Sequence, residues 1–165
     1  MTHPLVDEVM KKVAIAWVSV DGGPAFAVWC MAVDGAVYVV SGPGEQAAPG
    51  LAQAGKATVT ARGDHGGRVV TWPVDVSRLF PGSDEWEAVI PQLAAKRLNA
   101  PGSTEALIAR WAAECAVSRL APAGSPVEAG ESLPDSSGAE PPRETPAANS
   151  TRRPFRLHRV RRPPR

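Results

Sequence analysis

A hairpin signal in the first third of the chain constrains its fold most strongly. Two apolar runs, residues 25–33 and residues 36–40, are separated only by Asp34-Gly35. Asp-Gly is typical of a type I′ turn, because both residues tolerate the positive φ that this turn requires. The second run, AVYVV, is rich in β-branched and aromatic residues that suit a pleated surface. The sequence therefore predicts a β-hairpin here, followed by the glycine-rich segment 41–44 (SGPG).

Further strands are predicted on both sides of this hairpin. Apolar or alternating runs indicate strands at residues 13–20, 57–61, 68–79 and 116–120. The long run 68–79 contains Pro73, which predicts an edge position or a bulge because proline removes a ladder donor. Several short strands linked by tight turns are typical of a small antiparallel barrel.

Three helices accompany the strands. The first is predicted over residues 4–12, with the second starting after Ser83 and the third after Ser103, both plausible N-caps. Pro91 predicts a bend or break in the second helix near Ile90. The fold class is therefore α+β and mainly β: a β-barrel with helical caps.

The composition changes sharply near residue 121. Residues 1–121 hold 10 Lys/Arg and 12 Asp/Glu, residues 122–150 hold one and five, and residues 151–165 hold seven Arg and no acid. Large apolar side chains become scarce after residue 121, so that segment cannot bury enough surface to offset its ordering entropy. The prediction is a barrel domain over 1–121, a disordered acidic linker over 122–150 and a disordered Arg-rich tail over 151–165.

The tail suggests a second activity. Seven arginines between Arg152 and Arg165, together with Phe155, indicate weak, nonspecific and salt-dependent contact with nucleic acid through its phosphates. The alternative is a solubilising extension with no binding role.

Targeting and redox signals are few. No run approaches the roughly 20 apolar residues of a membrane span, and Asp7 and Glu8 interrupt any secretory pattern, which predicts a cytoplasmic protein with no membrane contact. Cys30 and Cys115 match no metal or redox spacing, so we expect buried free thiols and no metal site.

Several local strings resemble the flavin-binding split β-barrel superfamily, the pyridoxamine 5′-phosphate oxidase-like proteins, and within it a group of small actinobacterial members. The strings are VYVVSGPG followed by Glu45-Gln46, Pro49-Gly50-Leu51, ATVTAR at 57–62, Pro81-Gly82-Ser83 with Glu85-Trp86, AKRLN at 95–99 and Arg110-Trp111. The resemblance covers about residues 6–122. It implies a Greek-key split barrel, a homodimer, and FMN or the deazaflavin F420 in a groove between subunits. It also implies an oxidoreductase acting on a small molecule.

The resemblance also implies a site. Family members hold the cofactor phosphate near the end of the third strand with a hydroxyl and an Arg or Lys. Ser41 matches the hydroxyl, whereas Glu45-Gln46 stands where the basic pair is expected. Lys56, Arg62 or Arg68 could supply the missing charge, and Trp29 and Trp72 could neighbour the ring. The predicted cofactor-binding residues are Trp29, Ser41, Gly42, Gln46, Lys56, Arg62 and Trp72.

Structural alternatives exist for each of these features, and no catalytic residue stands out. Trp29 and Trp72 also suit a barrel core or a dimer interface, and the segment 41–44 also suits a plain turn. The Glu45-Gln46 departure favours a second hypothesis, a cofactor-free dimeric barrel that serves as an interaction module.

Overall fold

The chain forms a curled antiparallel sheet with two helices packed on its outside. A computed structural model describes residues 3–134, apart from the side chain of Glu131, and predictions about residues 135–165 lie outside that range. Its helices are α1 (Pro4–Met10), α2 (Asp84–Lys96) and α3 (Thr104–Glu114), with 3₁₀ turns at Leu51–Gln53 and Gly130–Ser132. Its strands are β1 (Ile15–Ser19), β2 (Phe26–Trp29), β3 (Met31–Val33), β4 (Ala36–Ser41), β5 (Lys56–Arg62), β6 (Arg68–Leu79), β7 (Ala116–Pro122) and β8 (Glu128–Ala129).

The strand order closes the sheet on itself. The order is β2-β1-β5-β6-β7-β4-β3, and β8 pairs additionally with β6. The two end strands, β2 and β3, are separated along the chain only by Cys30. The two ends of the sheet are therefore covalently joined, so the sheet must curl into a barrel. This confirms the predicted split β-barrel with helical caps.

The predicted hairpin forms as expected. Val33 pairs with Ala36 across the turn. Asp34 has φ 46° and Gly35 has φ 76°, so both turn residues lie in the left-handed region that a type I′ turn requires.

Strand β4 is buried on both faces. Val37 and Val39 face the barrel interior, whereas Tyr38 and Val40 face α2 and α3. Successive strand residues point to opposite sides, so one strand contributes to two separate cores. The helical layer contributes Trp86, Val89, Ile90, Leu93, Leu107 and Trp111 to the outer core.

The structure bears on two proline predictions. Pro73 lies inside the sheet opposite Thr58 of β5, not at an edge or at the bulge, which falls between Ala61 and Arg62. Proline lacks a backbone N–H, but no ladder hydrogen bond is lost at Pro73, because β6 changes its partner there from β7 to β8. Helix α2 continues through Pro91 to Lys96 without a break, because its apolar face is held by packing against the sheet.

The ordered chain extends past residue 121. Strand β8 pairs with β6 at Val70 and Thr71, and Glu128 Oε2 lies 2.9 Å from Arg68 Nη1. Arg68 also donates to the Pro134 carbonyl at 3.1 Å. Residues 122–134 of the predicted linker are therefore structured, and the Arg68 side chain binds two of them, Glu128 and Pro134.

The cysteines and the helices bear on two sequence predictions. Cys30 and Cys115 are buried free thiols, as predicted, and burial raises the pKa of Cys30 to about 12. In the described part of the chain, the helices are too short and too polar to traverse a lipid bilayer.

Candidate functional site

The loop after β4 is held tightly against the start of β7. Gly42 has φ +138°, and a Cβ added to it would lie 3.0 Å from the Cys115 Cα atom. Only glycine suits both the backbone conformation and this close approach. Arg110 Nη1 donates to the Pro43 carbonyl at 2.6 Å and fastens the loop to α3.

Glu45 is a buried, fully paired carboxylate. Its side chain is 4% exposed, and Arg97 Nε and Arg110 Nη2 lie 2.8 and 2.6 Å from its oxygens. Trp111 Nε1 donates a third hydrogen bond at 3.0 Å. Burial by itself would raise the pKa of Glu45, but the hydrogen bonds from Trp111, Arg97 and Arg110 outweigh it and hold that pKa below its ordinary value. The acid that replaces the expected basic pair thus ties the loop to both helices.

The Gln46 side chain supplies hydrogen-bond partners to backbone groups of β2 and β4. Its Oε1 accepts from Trp29 N at 2.5 Å, and its Nε2 donates to the carbonyls of Trp29 and Val40 at 2.7 and 3.1 Å. The two Trp29 groups lie where β2 ends, and the Val40 carbonyl lies near the end of β4, so Gln46 supplies partners where strands end. The Gln46 amide is therefore committed to the protein.

A cavity of about 420 Å³, here called the mouth cavity, opens beside Ser41. Ser41, Arg78 and Ala116 line it from the ends of β4, β6 and β7. Ser41 and Arg78 follow the alternation of Val39 and Val74, which face the barrel interior. The remaining lining comes from Gly42, Ala47, Ala48, Pro49, Ala52, Gln53, Glu114 and Cys115.

Two polar groups in the mouth cavity are open to a ligand. The Ser41 hydroxyl makes no hydrogen bond with any residue in the range 3–134. The Arg78 side chain has neither an ion pair nor a hydrogen bond within the same range, and its guanidinium lies 5.5 Å from the Phe80 ring centroid. A hydroxyl and an unpaired cation in one cavity are suited to an anion such as a phosphate.

Two further side chains modify this cavity. Glu114 is exposed on the rim of the mouth cavity. Its carboxylate carries a negative charge, whereas Arg78 in the same lining is positive. Burial raises the pKa of the Cys115 thiol, so that thiol stays protonated at neutral pH and is a poor nucleophile.

A second cavity, here called the loop cavity, has about 290 Å³ and is lined by Trp29, Glu45, Gln46, Arg97 and Leu98. Trp29 is half-buried and Leu98 is 76% exposed. Glu45 and Gln46 thus contribute to both the loop's internal bonding and the wall of this cavity.

The predicted site residues separate into groups. Ser41 and Gly42 line the mouth cavity, and Trp29 and Gln46 line the loop cavity. Lys56 is exposed opposite Asp75 and lines neither. Arg62 stacks on Trp17 at 4.9 Å and borders a cavity of about 540 Å³ beside α1. Trp72 is 1% exposed inside the barrel.

The predicted cofactor-binding residues did not include Arg78, Arg97 or Arg110. Arg78 carried a usable signal, because it continues the inward alternation of β6 and lies next to the strand's end. Arg97 and Arg110 lie in two of the strings that carry the family resemblance, but their pairing with Glu45 depends on how α2 and α3 pack.

Comparison with known proteins supports the fold. No family model matches the chain, and no curated protein matches it. HutZ, the heme storage protein of Vibrio cholerae, superposes with a TM-score of 0.52 at 14% identity, covering 76% of this chain and 94% of that chain. A FAD-binding protein of Mesorhizobium loti has a TM-score of 0.45 at 14% identity, covering 75% and 91%.

The fold and the cavities define a class of protein. The chain has a split β-barrel fold, which HutZ shares, with an anion-suited cavity at one end of the barrel. The narrower resemblance to an actinobacterial group stays a prediction.

Proposed function

We propose that this protein binds a phosphorylated flavin or deazaflavin, FMN or F420, with the phosphate in the mouth cavity, and works as an oxidoreductase on a small molecule. The observation that carries the proposal is the pairing of two free groups, the Ser41 hydroxyl and the Arg78 guanidinium, in one cavity. Arg78 fills the cationic role that Glu45-Gln46 cannot.

The residues present fit such a group. The mouth cavity, at about 420 Å³, falls within the range of about 300–1,000 Å³ typical of ligand sites. Its size suits the phosphate end, and a second subunit, in the proposed homodimer, would cover the rest. The flavin supplies the redox chemistry when bound. Arg78 and Ser41 orient its phosphate, and Glu114 weakens the hold by charge repulsion.

Replacing Arg78 by Gln tests the proposal directly. Loss of one charge-assisted hydrogen bond costs about 1.5–3 kcal/mol, so we expect FMN or F420 affinity to fall about 10- to 100-fold. Ser41→Ala should weaken binding less, and Glu114→Gln should strengthen it. The measurement is a spectroscopic titration of each variant with FMN and with F420, and with haemin because HutZ, which shares the fold, is described as a heme storage protein.

Lys56→Gln is the matched control for Arg78→Gln. Both changes remove one exposed cation, but Lys56 does not border the mouth cavity. Equal losses for the two variants would show a general charge effect and contradict the site. Absence of FMN and F420 binding at tens of micromolar would remove the cofactor proposal altogether.

A cofactor-free interaction barrel is the second candidate. The favouring observation is that both residues replacing the expected basic pair have structural partners: Glu45 binds two arginines and Trp111, and Gln46 binds the Trp29 backbone. On this alternative Ser41→Ala changes nothing beyond stability, and a ligand-dependent rise in melting temperature would count against it.

The Arg-rich tail is tested separately. We expect full-length protein to shift RNA or DNA weakly in gels at low salt and to lose the shift as salt rises, because phosphate contacts release counterions. The comparison is a variant ending at Pro134, which keeps β8 and its Arg68–Glu128 pair. Equal retention by the two proteins would dismiss a role for the tail.

A further inference from the structure

The side-chain acceptors that line the loop cavity already have protein donors. Glu45 Oε1 accepts from Arg110 and Trp111, and its Oε2 accepts from Arg97. The Gln46 amide oxygen accepts from Trp29 N, and its nitrogen donates to backbone carbonyls. A ligand that donates hydrogen bonds therefore shares these acceptors with donors of the protein.

The charge cluster beside the loop cavity is net positive. One carboxylate, Glu45, is paired with two guanidinium groups, so the cluster carries a net charge of +1. Glu45 and Arg97 line the cavity itself, whereas Arg110 does not. Arg97 donates through Nε to Glu45 and through Nη1 to the Leu98 carbonyl. Its Nη2 has no protein partner within residues 3–134, and its side chain is 26% exposed.

The rest of the wall is apolar. The half-buried residue Trp29 lines one part, and Leu98, 76% exposed, lines another. An indole face favours planar partners through stacking. At about 290 Å³ the cavity lies at the lower limit of ligand sites, so it accommodates a one-ring molecule.

We propose that the loop cavity binds a small planar organic anion, such as a one-ring carboxylate, with its charge at Arg97 and its ring against Trp29. The anion deepens the proposed function because it names a substrate class for the oxidoreductase. Only the anion's role as a substrate rests on the proposed function. Binding of the anion is measurable without any cofactor.

Benzoate and benzamide are the probes. They share a ring and a shape, but only benzoate carries a charge that Arg97 can bind. Using calorimetry on the full-length protein, we expect benzoate to bind at least about tenfold more tightly than benzamide, the ratio that about 1.4 kcal/mol produces. Equal affinities of benzoate and benzamide would overturn the proposal. So would the absence of saturation by benzoate at about 50 mM, a concentration above the Kd of most specific sites.

Leu98→Glu and Leu98→Gln form the matched pair of variants. Leu98 is largely exposed, so neither change should disturb folding, which melting curves will check. The new carboxylate lies beside Arg97 and competes for its free donor. We expect Leu98→Glu to weaken benzoate binding about tenfold more than Leu98→Gln does, because the two variants lose the same apolar contact and only glutamate adds a negative charge. Unchanged binding in Leu98→Glu would refute the site.

Arg78→Gln separates this proposal from the cofactor proposal. The variant should weaken FMN or F420 binding but leave benzoate binding unchanged, because Arg78 lines only the mouth cavity of the two. Protein that binds benzoate but neither cofactor would refute the proposed function and leave the anion site standing. The reverse result would refute the anion site alone.

Discussion

Glu45→Gln is expected to lower the free energy of unfolding by about 3 kcal/mol, the lower end of the cost of breaking a buried ion pair. The lower end applies because Arg97 and Arg110 each keep 26% side-chain exposure, whereas Glu45 has 4%. Glutamine keeps an oxygen for Trp111 but leaves two guanidinium groups facing no charge. The melting temperature should fall by about 10 °C, given the usual relation for a domain of this size.

The same carboxylate makes stability depend on pH. Its pKa in the folded protein lies below its ordinary value of 4.5, so the folded state holds fewer protons than the unfolded state near that pH. The stabilisation is therefore complete above about pH 5 and is lost as pH falls below 4.5. Glu45→Gln should remove this part of the acid dependence, which urea titrations between pH 3 and 7 would measure.

Glu8→Gln is the control for Glu45→Gln. Glu8 also contacts two cations, Lys11 and Lys12, but on the exposed face of α1. Water already solvates these charges, so we expect no measurable change in the free energy of unfolding. Equal effects of the two substitutions would contradict the importance of the buried cluster.

Gly42→Ala is expected to destabilise the protein by about 2–4 kcal/mol, because a Cβ meets backbone in a strained φ region. Its φ is +138°, and the added atom would lie 3.0 Å from Cys115 Cα and 3.2 Å from the Glu114 carbonyl oxygen. These contacts are backbone atoms that cannot rotate away. Chemical denaturation measures the loss of stability. The shifted loop should also weaken the binding of any ligand in the mouth cavity.

Gly67→Ala is the matched control for the glycine. A Cβ at Gly67 meets nothing within 4 Å, and its φ lies outside the left-handed region. Here alanine mainly reduces the freedom of the unfolded chain, so stability should be unchanged or rise slightly. A Gly42 variant as stable as the Gly67 variant would refute the described loop geometry.

Local sequence signals predicted most of the elements. The Asp34-Gly35 turn, the Ser83 and Ser103 caps and the strand from Arg68 to Leu79 depend on neighbouring residues, and all form as expected. The Pro73 prediction failed because the partner strand of β6 changes there, so no ladder hydrogen bond is lost. The helix does not break at Pro91, because it is held by its packing.

The site was less predictable than the fold. From the sequence alone, Glu45 looked like an obstacle to phosphate binding. Its two arginine partners lie 52 and 65 residues further along the chain, so no local pattern relates them to Glu45. Trp72 looked like a ring neighbour but lies in the barrel core. Lys56 and Arg62, proposed as counter-charges, lie away from Ser41, and Arg78 lines the mouth cavity in their place.

The sequence alone determined the barrel-forming strands, the turn between β3 and β4 and the caps of α2 and α3, because each depends on backbone preferences and patterns within a few residues. Tertiary structure decided which charges meet. Glu45 joins Arg97 and Arg110, while Arg78 is left without an acid partner in the described residues beside Ser41. Electrostatic pairing acts through space, and the closure of the sheet brings together side chains that no local pattern relates.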